Sequence, residues 1–195
     1  MNVRAKIMLF ACGLLVSLGV IAKEIDVTSS FAGTITTPIA AGVDIGGTPW
    51  GPEPMIISEA QLRGSLGPAN MSVISRFDTD GVPVADCNGT GEAGVPFVME
   101  YAFSVSTYKD HSQLYVKFDT GWICGLPGSS GQSFYRGYVE GTIVGGTGRF
   151  AGATGTVTSD FYGHDLSGPL VAGEDDRPSY GSFYGTMEGN LILAD

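Results

Sequence analysis

The sequence is poor in the residues that build metal, nucleic-acid and nucleotide sites. It has 3 cysteines and 2 histidines, and His111 and His164 are too far apart in the sequence to predict a zinc site. Only four lysines and a net charge of −10 exclude a basic face for nucleic acid. One G-x-G-x-x-G match, at residues 89–94, runs into strand-like sequence, whereas a dinucleotide site needs a helix there. We therefore predict no metal site, no dinucleotide site and no nucleic-acid partner.

One long hydrophobic run stands at the N-terminus. Two positive charges precede an apolar stretch over residues 7–21, which closes at Ala22 and is typical of a signal peptide. A membrane anchor is the alternative, but about 15 apolar residues are fewer than the roughly 20 that span a bilayer. We predict a signal peptide over 1–22 and a secreted or periplasmic domain over 23–195, with no stable membrane span. Cleavage would change the net charge from −10 to −12.

Cysteine usage agrees with export. Cys12 leaves with the signal peptide, so Cys87 and Cys124 remain as a pair, and an oxidising compartment favours a disulfide between them. Cys87 precedes the predicted strand at 95–107, and Cys124 follows the predicted strand at 113–118. If these two strands form a hairpin, their far ends meet and bring the cysteines together. Such a bridge would stabilise the fold by about 3–4 kcal/mol.

Helical signals are missing, because no segment keeps an apolar period of 3.6 residues. Glycine is abundant instead: 30 of the 195 residues are glycine, roughly double the usual share. Turn clusters separate short alternating segments, which predict one all-β domain. A barrel is favoured over a sandwich because closure removes exposed strand edges. The predicted strands cover residues 25–36, 55–65, 71–77, 95–107, 113–118, 134–144, 154–162 and 182–193.

A glycine-rich run at residues 140–155 is the most informative motif. It predicts a strand, a tight turn and a second strand, with Phe150 packing back into the core. Its segment GGTGRFAGATG, residues 145–155, resembles the signature hairpin of the allene oxide cyclase and dirigent-like barrels. The resemblance implies an eight-stranded antiparallel barrel around an apolar cavity, frequently assembled as a homo-oligomer. It also implies action without metal or redox cofactor on a small hydrophobic molecule whose cyclisation or coupling is steered.

Three charged residues are the candidates for catalysis. Arg136 and Glu140 share one face of a predicted strand with Tyr138. If that face points inward, Arg136 can hold an anionic group, and a desolvated Glu140 with a raised pKa can act as general acid. If it points outward, it is a solvated stripe, which we favour because barrels place apolar residues inward. Glu100 has the same two possible orientations, inward as a candidate catalytic residue or outward in solvent.

Aromatic residues and glycines at strand positions predict a ligand-binding lumen. Gly137, Gly141, Gly185 and Gly189, wherever they face inward, leave room for a guest, and a cavity of roughly 300 Å³ or more would hold one. The aromatic side chains predicted to line this cavity are Tyr101, Phe103, Phe118, Tyr138 and Phe183.

Two kinds of function fit these features. The first is a cofactor-free cyclase or isomerase that holds a reactive hydrophobic substrate in one conformation. The second is a non-catalytic exported barrel that binds a hydrophobic ligand or serves as a surface or assembly component. Ionisable groups facing inward would favour the enzyme, and a lumen filled by side chains would exclude it.

Overall fold

A closed barrel of eight antiparallel strands forms the fold. The structure, a computed structural model, describes residues 22–37, 56–77, 82–127, 133–165 and 179–194. Each strand pairs with the next, and the last pairs with the first, so the predicted barrel is confirmed and the sandwich is not. The strands are β1 (Lys23–Thr37), β2 (Ile56–Gly64), β3 (Ala69–Phe77), β4 (Val95–Tyr108), β5 (Gln113–Pro127), β6 (Ser133–Gly146), β7 (Thr154–Asp165) and β8 (Ser179–Leu193).

Strand β5 is the element that differs most from the prediction, which ended it at Phe118. The strand continues to Pro127 and pairs with β6 along this whole length. Its register shifts between Phe118 and Thr120, at a polar and glycine-containing stretch that reads as a turn in the sequence. After the shift, Gly121 lies opposite Val139, and the strand continues on the new register.

The glycine-rich hairpin seals one end of the barrel. A single 3-10 turn, Gly148–Phe150, joins β6 to β7 and places the Phe150 side chain in the core, where it is 1% exposed. Its ring lies 4.9 Å from that of Tyr108, centroid to centroid. Gly148 has a φ of 58°, and a Cβ there would collide with the Ser112 side chain, so the turn requires glycine. The predicted role of Phe150 as a plug is confirmed.

Arg149 covers this closed end from outside. Its guanidinium carbon lies 4.8 Å from the centre of the Tyr108 ring, and Nη2 donates a hydrogen bond to the Leu66 carbonyl at 2.8 Å. The Nε atom lies 3.6 Å from a carboxylate oxygen of Asp110. The arginine thereby connects the hairpins that close the barrel.

Tyr108 makes the closed end sensitive to alkali. Burial raises the pKa of its phenol to about 12, with a further contribution from Asp110 and an opposing one from Arg149. Between pH 10 and pH 12 the unfolded chain releases this proton while the folded chain retains it, so stability falls as pH rises. We expect Tyr108 to account for a loss of about 2–3 kcal/mol by pH 12.

Urea unfolding of the wild type and of Tyr108→Phe, at about pH 9 and again near pH 12, measures this loss. The variant lacks the titrating group, so its free energy of unfolding should fall less over the same interval. Equal losses in both proteins would show that Tyr108 is not the cause.

A disulfide ties a loop to the barrel wall. Cys87, in the connection between β3 and β4, is bonded to Cys124 of β5, with a Cα–Cα separation of 6.0 Å. Both residues are fully buried. Strands β4 and β5 form the hairpin assumed in the prediction, so the predicted bridge is confirmed.

The predicted signal peptide lies outside the described residues except for Ala22, and β1 begins directly after it at Lys23. Within the described ranges, no helix is long and apolar enough to cross a membrane. In that same part of the chain, no cluster of three or more His, Cys, Asp or Glu side chains could hold a metal ion.

Candidate functional site: an apolar lumen

The barrel encloses an apolar cavity of about 80 Å³. It lies away from the sealed end, toward the end of the barrel at which β1 and β3 finish. Inward-facing residues of all eight strands form its wall, since alternate residues of each strand face the lumen. The wall consists of five phenylalanines (Phe31, Phe77, Phe118, Phe161, Phe183), three methionines (Met71, Met99, Met187), three serines (Ser58, Ser75, Ser159), and Ile35, Ile56, Ile123, Val73, Val139 and Ala102.

Serine hydroxyls supply the polar groups of this wall. Ser159 Oγ donates a hydrogen bond to the Thr186 carbonyl at 3.0 Å, so that hydroxyl is already engaged. Ser104, on the same inward side of β4, is 1% exposed, and its Oγ has no hydrogen-bond partner among the described residues. None of the side chains in the described wall carries a charge or titrates in the physiological range. The described wall can therefore orient a guest by hydrogen bonds, but it includes no general acid or base.

The cavity is smaller than predicted. Its volume of about 80 Å³ compares with roughly 300 Å³ for a typical ligand pocket and about 150 Å³ for an apolar cavity that admits benzene. A guest larger than a few atoms must displace side chains of the wall. Met71, Met99 and Met187 are suited to this because methionine is unbranched and has three rotatable side-chain bonds.

Neighbouring side chains explain why the inward glycines leave so little room. Gly137, Phe161, Gly185 and Phe31 lie directly opposite one another on β6, β7, β8 and β1. A Cβ added at Gly137 would collide with the Phe161 ring, and one at Gly185 would collide with the Phe31 ring. Gly137 and Gly185 face inward, the orientation on which the predicted cavity depended, but phenylalanine rings of adjacent strands occupy the space above them.

Arg136 and Glu140 lie on the outer surface of the barrel. Arg136 Nη2 is 3.9 Å from Asp160 Oδ1, and its guanidinium carbon is 5.3 Å from the centre of the Tyr162 ring. Glu140 accepts a hydrogen bond of 2.7 Å from Tyr138 Oη, which raises the pKa of that phenol. The interpretation in which Arg136 and Glu140 point inward is therefore wrong, because these side chains cannot contact a guest in the lumen. The opposite face of β6, with Val139 and Ile143, points inward because it carries the apolar residues.

Glu100 also lies outside, at an irregularity of β4. Its carboxylate pairs with the Arg76 guanidinium on the neighbouring strand. The register places Met99 opposite Phe77 but Tyr101 opposite Arg76, so one extra residue of β4 sits between these pairs. Met99 therefore faces the lumen, whereas Tyr101 faces outward. Strict period-two alternation would have placed both residues on the same side.

Of the five aromatics predicted to line the cavity, Phe118 and Phe183 do so. Tyr101, Phe103 and Tyr138 lie on the outer side, which corrects the prediction for them; the Phe103 ring packs there against Tyr115, with centroids 6.3 Å apart. The bulge in β4 turns Tyr101 and Phe103 outward. Tyr138 points outward because the alternate residues of β6, such as Val139, face the lumen.

Several side chains of the wall were not among those predicted from the sequence. Phe31 and Ile35 follow Ile25 and Val27 with a period of two along β1, so simple alternation was a usable signal for them. The same signal was present for Phe161, which shares one face of β7 with Val157, while Thr158 and Asp160 lie on the other face. The missed phenylalanines and methionines are Phe31, Phe77, Phe161, Met71, Met99 and Met187.

The fold and its site define an eight-stranded antiparallel barrel with a small apolar lumen, sealed at one end. No protein-family model matches the sequence, and no curated protein matches it. The solved structure of a pterocarpan synthase dirigent protein is similar over 85% of this chain and 86% of its own, at 9% identity and a TM-score of 0.20. This similarity is too weak to assign a fold, so the fold is assigned from the strand pairing itself.

Proposed function

We propose that this protein is an exported barrel that binds a neutral, apolar small molecule in its lumen. The observation that carries the proposal is the described wall of the cavity, which combines aromatic, methionine and aliphatic side chains with serine hydroxyls and no ionisable group. Ligand sites of this kind are apolar surfaces with a few polar groups that fix orientation. The Cys87–Cys124 disulfide is consistent with export to an oxidising compartment.

The neutrality of the guest follows from the cost of desolvation. A carboxylate or ammonium transferred into the lumen would lose its hydration, and the described wall has no counter-charge to replace it. A hydroxyl or carbonyl group on the guest can instead be met by a serine hydroxyl. We propose binding rather than acid–base catalysis because general acids and bases are absent from this described wall.

A matched pair of probes tests this proposal. Naphthalene and 2-naphthoate share a ring system but differ in charge, and saturation-transfer NMR can rank their binding to the purified protein. We expect naphthalene to bind more tightly by a factor of more than about 100, because an unpaired buried carboxylate costs several kcal/mol.

Ala102→Leu provides the site control. Ala102 is 3% exposed and lines the cavity, so a larger side chain would occupy the space of the guest. We expect at least about tenfold weaker naphthalene binding. Ala32→Leu makes the same chemical change on the outer side of β1 and should leave binding unchanged. Equal effects of both substitutions, or tighter binding of the naphthoate, would contradict the proposal.

A further inference from the structure

A shallow groove runs along the outer side of β1, between β8 and β2. Small residues form its floor, with Thr28, Ser30 and Ala32 exposed at alternate positions of the strand. Longer side chains flank it on both neighbours, because Tyr184 of β8 and Gln61 of β2 lie directly opposite Ala32. Beside them, a surface depression of about 310 Å³ is lined by Thr28, Ser30, Arg63, Thr186 and Glu188 among others.

A stack of planar groups ends at this groove. Arg136, Tyr162, Tyr184 and Ala32 follow one another across β6, β7, β8 and β1. The guanidinium of Arg136 lies over the Tyr162 ring, and the Tyr162 and Tyr184 rings are stacked with centroids 6.1 Å apart and planes inclined by 24°. The next side chain in the row is the methyl group of Ala32, so the face of the Tyr184 ring toward β1 has no large neighbour in this row. Tyr184 is 59% exposed. The groove therefore has one aromatic wall.

The polar groups around the groove favour a neutral partner. Arg63 lies opposite Ser30 on β2, and Glu188 lies opposite Thr28 on β8, so the flanks contribute one charge of each sign beside Thr28 and Ser30. The next charged positions on the outer face, Asp26 of β1 and Glu59 of β2, are acidic. The floor adds hydroxyls, and Gln61 adds an amide that both donates and accepts hydrogen bonds. The net charge of −10 disfavours anionic polymers and a second copy of the chain.

We propose that this groove binds a neutral carbohydrate chain. The ring of Tyr184 would pack against the C–H face of one sugar over Ala32, and Gln61, Arg63 and Glu188 would hydrogen-bond hydroxyls of this sugar and the next. A sugar ring matches such a site because it has an apolar face and uncharged donors and acceptors at its edge. The groove lies on the outside of the barrel, so this activity is independent of what occupies the lumen.

Affinity electrophoresis tests the proposal. The purified protein is run in native gels containing hydroxyethyl cellulose, galactomannan or dextran as neutral probes, with carboxymethyl cellulose as the anionic counterpart. We expect retardation by at least one neutral polymer and a loss of affinity of about tenfold or more in Tyr184→Ala. Ala32→Leu, which fills the floor without removing the ring, should weaken binding as well.

Two controls locate the site. Tyr180→Ala removes a tyrosine of similar exposure, 55%, from the same strand, and Ala102→Leu fills the lumen. Both should retain most of the retardation. The proposal is overturned if no neutral polymer retards the protein, if only carboxymethyl cellulose does, or if Tyr184→Ala binds like the wild type. It is also overturned if sedimentation shows that Tyr184 instead mediates self-association.

Discussion

Replacing Phe150 with alanine should destabilise the barrel by about 3–5 kcal/mol, since it removes a fully buried aromatic side chain at the sealed end. The ring contacts that of Tyr108, and the Arg149 guanidinium carbon lies 4.7 Å from the centre of the Phe150 ring and 4.8 Å from that of Tyr108, so the three groups pack against one another. Removing it would leave a cavity that the surrounding hairpins cannot fill by side-chain rotation alone. Urea unfolding followed by circular dichroism measures the change in the free energy of unfolding.

Phe134→Ala is the matched control for this prediction. Phe134 lies on the outer side of β6, is 41% exposed and contacts the His164 ring at 6.0 Å between centroids. Its replacement should cost less than about 1 kcal/mol, as is usual for surface positions. If the two substitutions had equal effects, Phe150 would not be the plug of the sealed end.

Removing the disulfide should cost about 3–4 kcal/mol, because the unfolded chain would regain the freedom of a loop closed over a sequence separation of 37. The double variant Cys87→Ala/Cys124→Ala tests this without leaving a free thiol in the core. Its free energy of unfolding, measured in urea, should be lower than that of the oxidised wild type by this amount.

Reduction supplies the control for the double variant. Dithiothreitol should destabilise the wild type by a similar amount and leave the double variant unchanged. A wild type that is insensitive to the reductant at every urea concentration, or a variant as stable as the oxidised protein, would contradict a stabilising role for the bridge.

Strand number, the disulfide and the burial of Phe150 could be predicted from the sequence, and closure was favoured because it removes exposed strand edges. Alternation marks the strands, glycine marks the tight turn before and after Phe150, and Cys87 and Cys124 are the pair that lies outside the predicted signal peptide. The outward orientation of Arg136 and Glu140 was also the favoured interpretation, since the other face of β6 holds apolar residues.

The orientation of β4 could not be predicted, because it depends on one extra residue near Glu100. Side chains alternate with a period of two, so a single irregularity moves every following residue to the other face. Tyr101 and Phe103 are on the outside for this reason. No residue type near Glu100 in the sequence distinguishes a bulge from a continuous strand.

The size of the cavity depends on contacts between strands that are distant in the sequence. Gly185 is flanked by Phe161 on one side and Phe31 on the other, and only the register of β7, β8 and β1 brings these residues together. The sequence shows the glycines that create space, but it does not show which rings fill that space. The predicted volume was too large for this reason.

Mass spectrometry of the organic extract from purified protein shows whether the lumen binds a neutral apolar molecule. We expect one neutral apolar compound in amounts comparable to the protein, present in the wild type and in Ala32→Leu and depleted in Ala102→Leu. Identical extracts from all three proteins, or an enriched compound that is charged at neutral pH, would show that the lumen does not bind such a molecule.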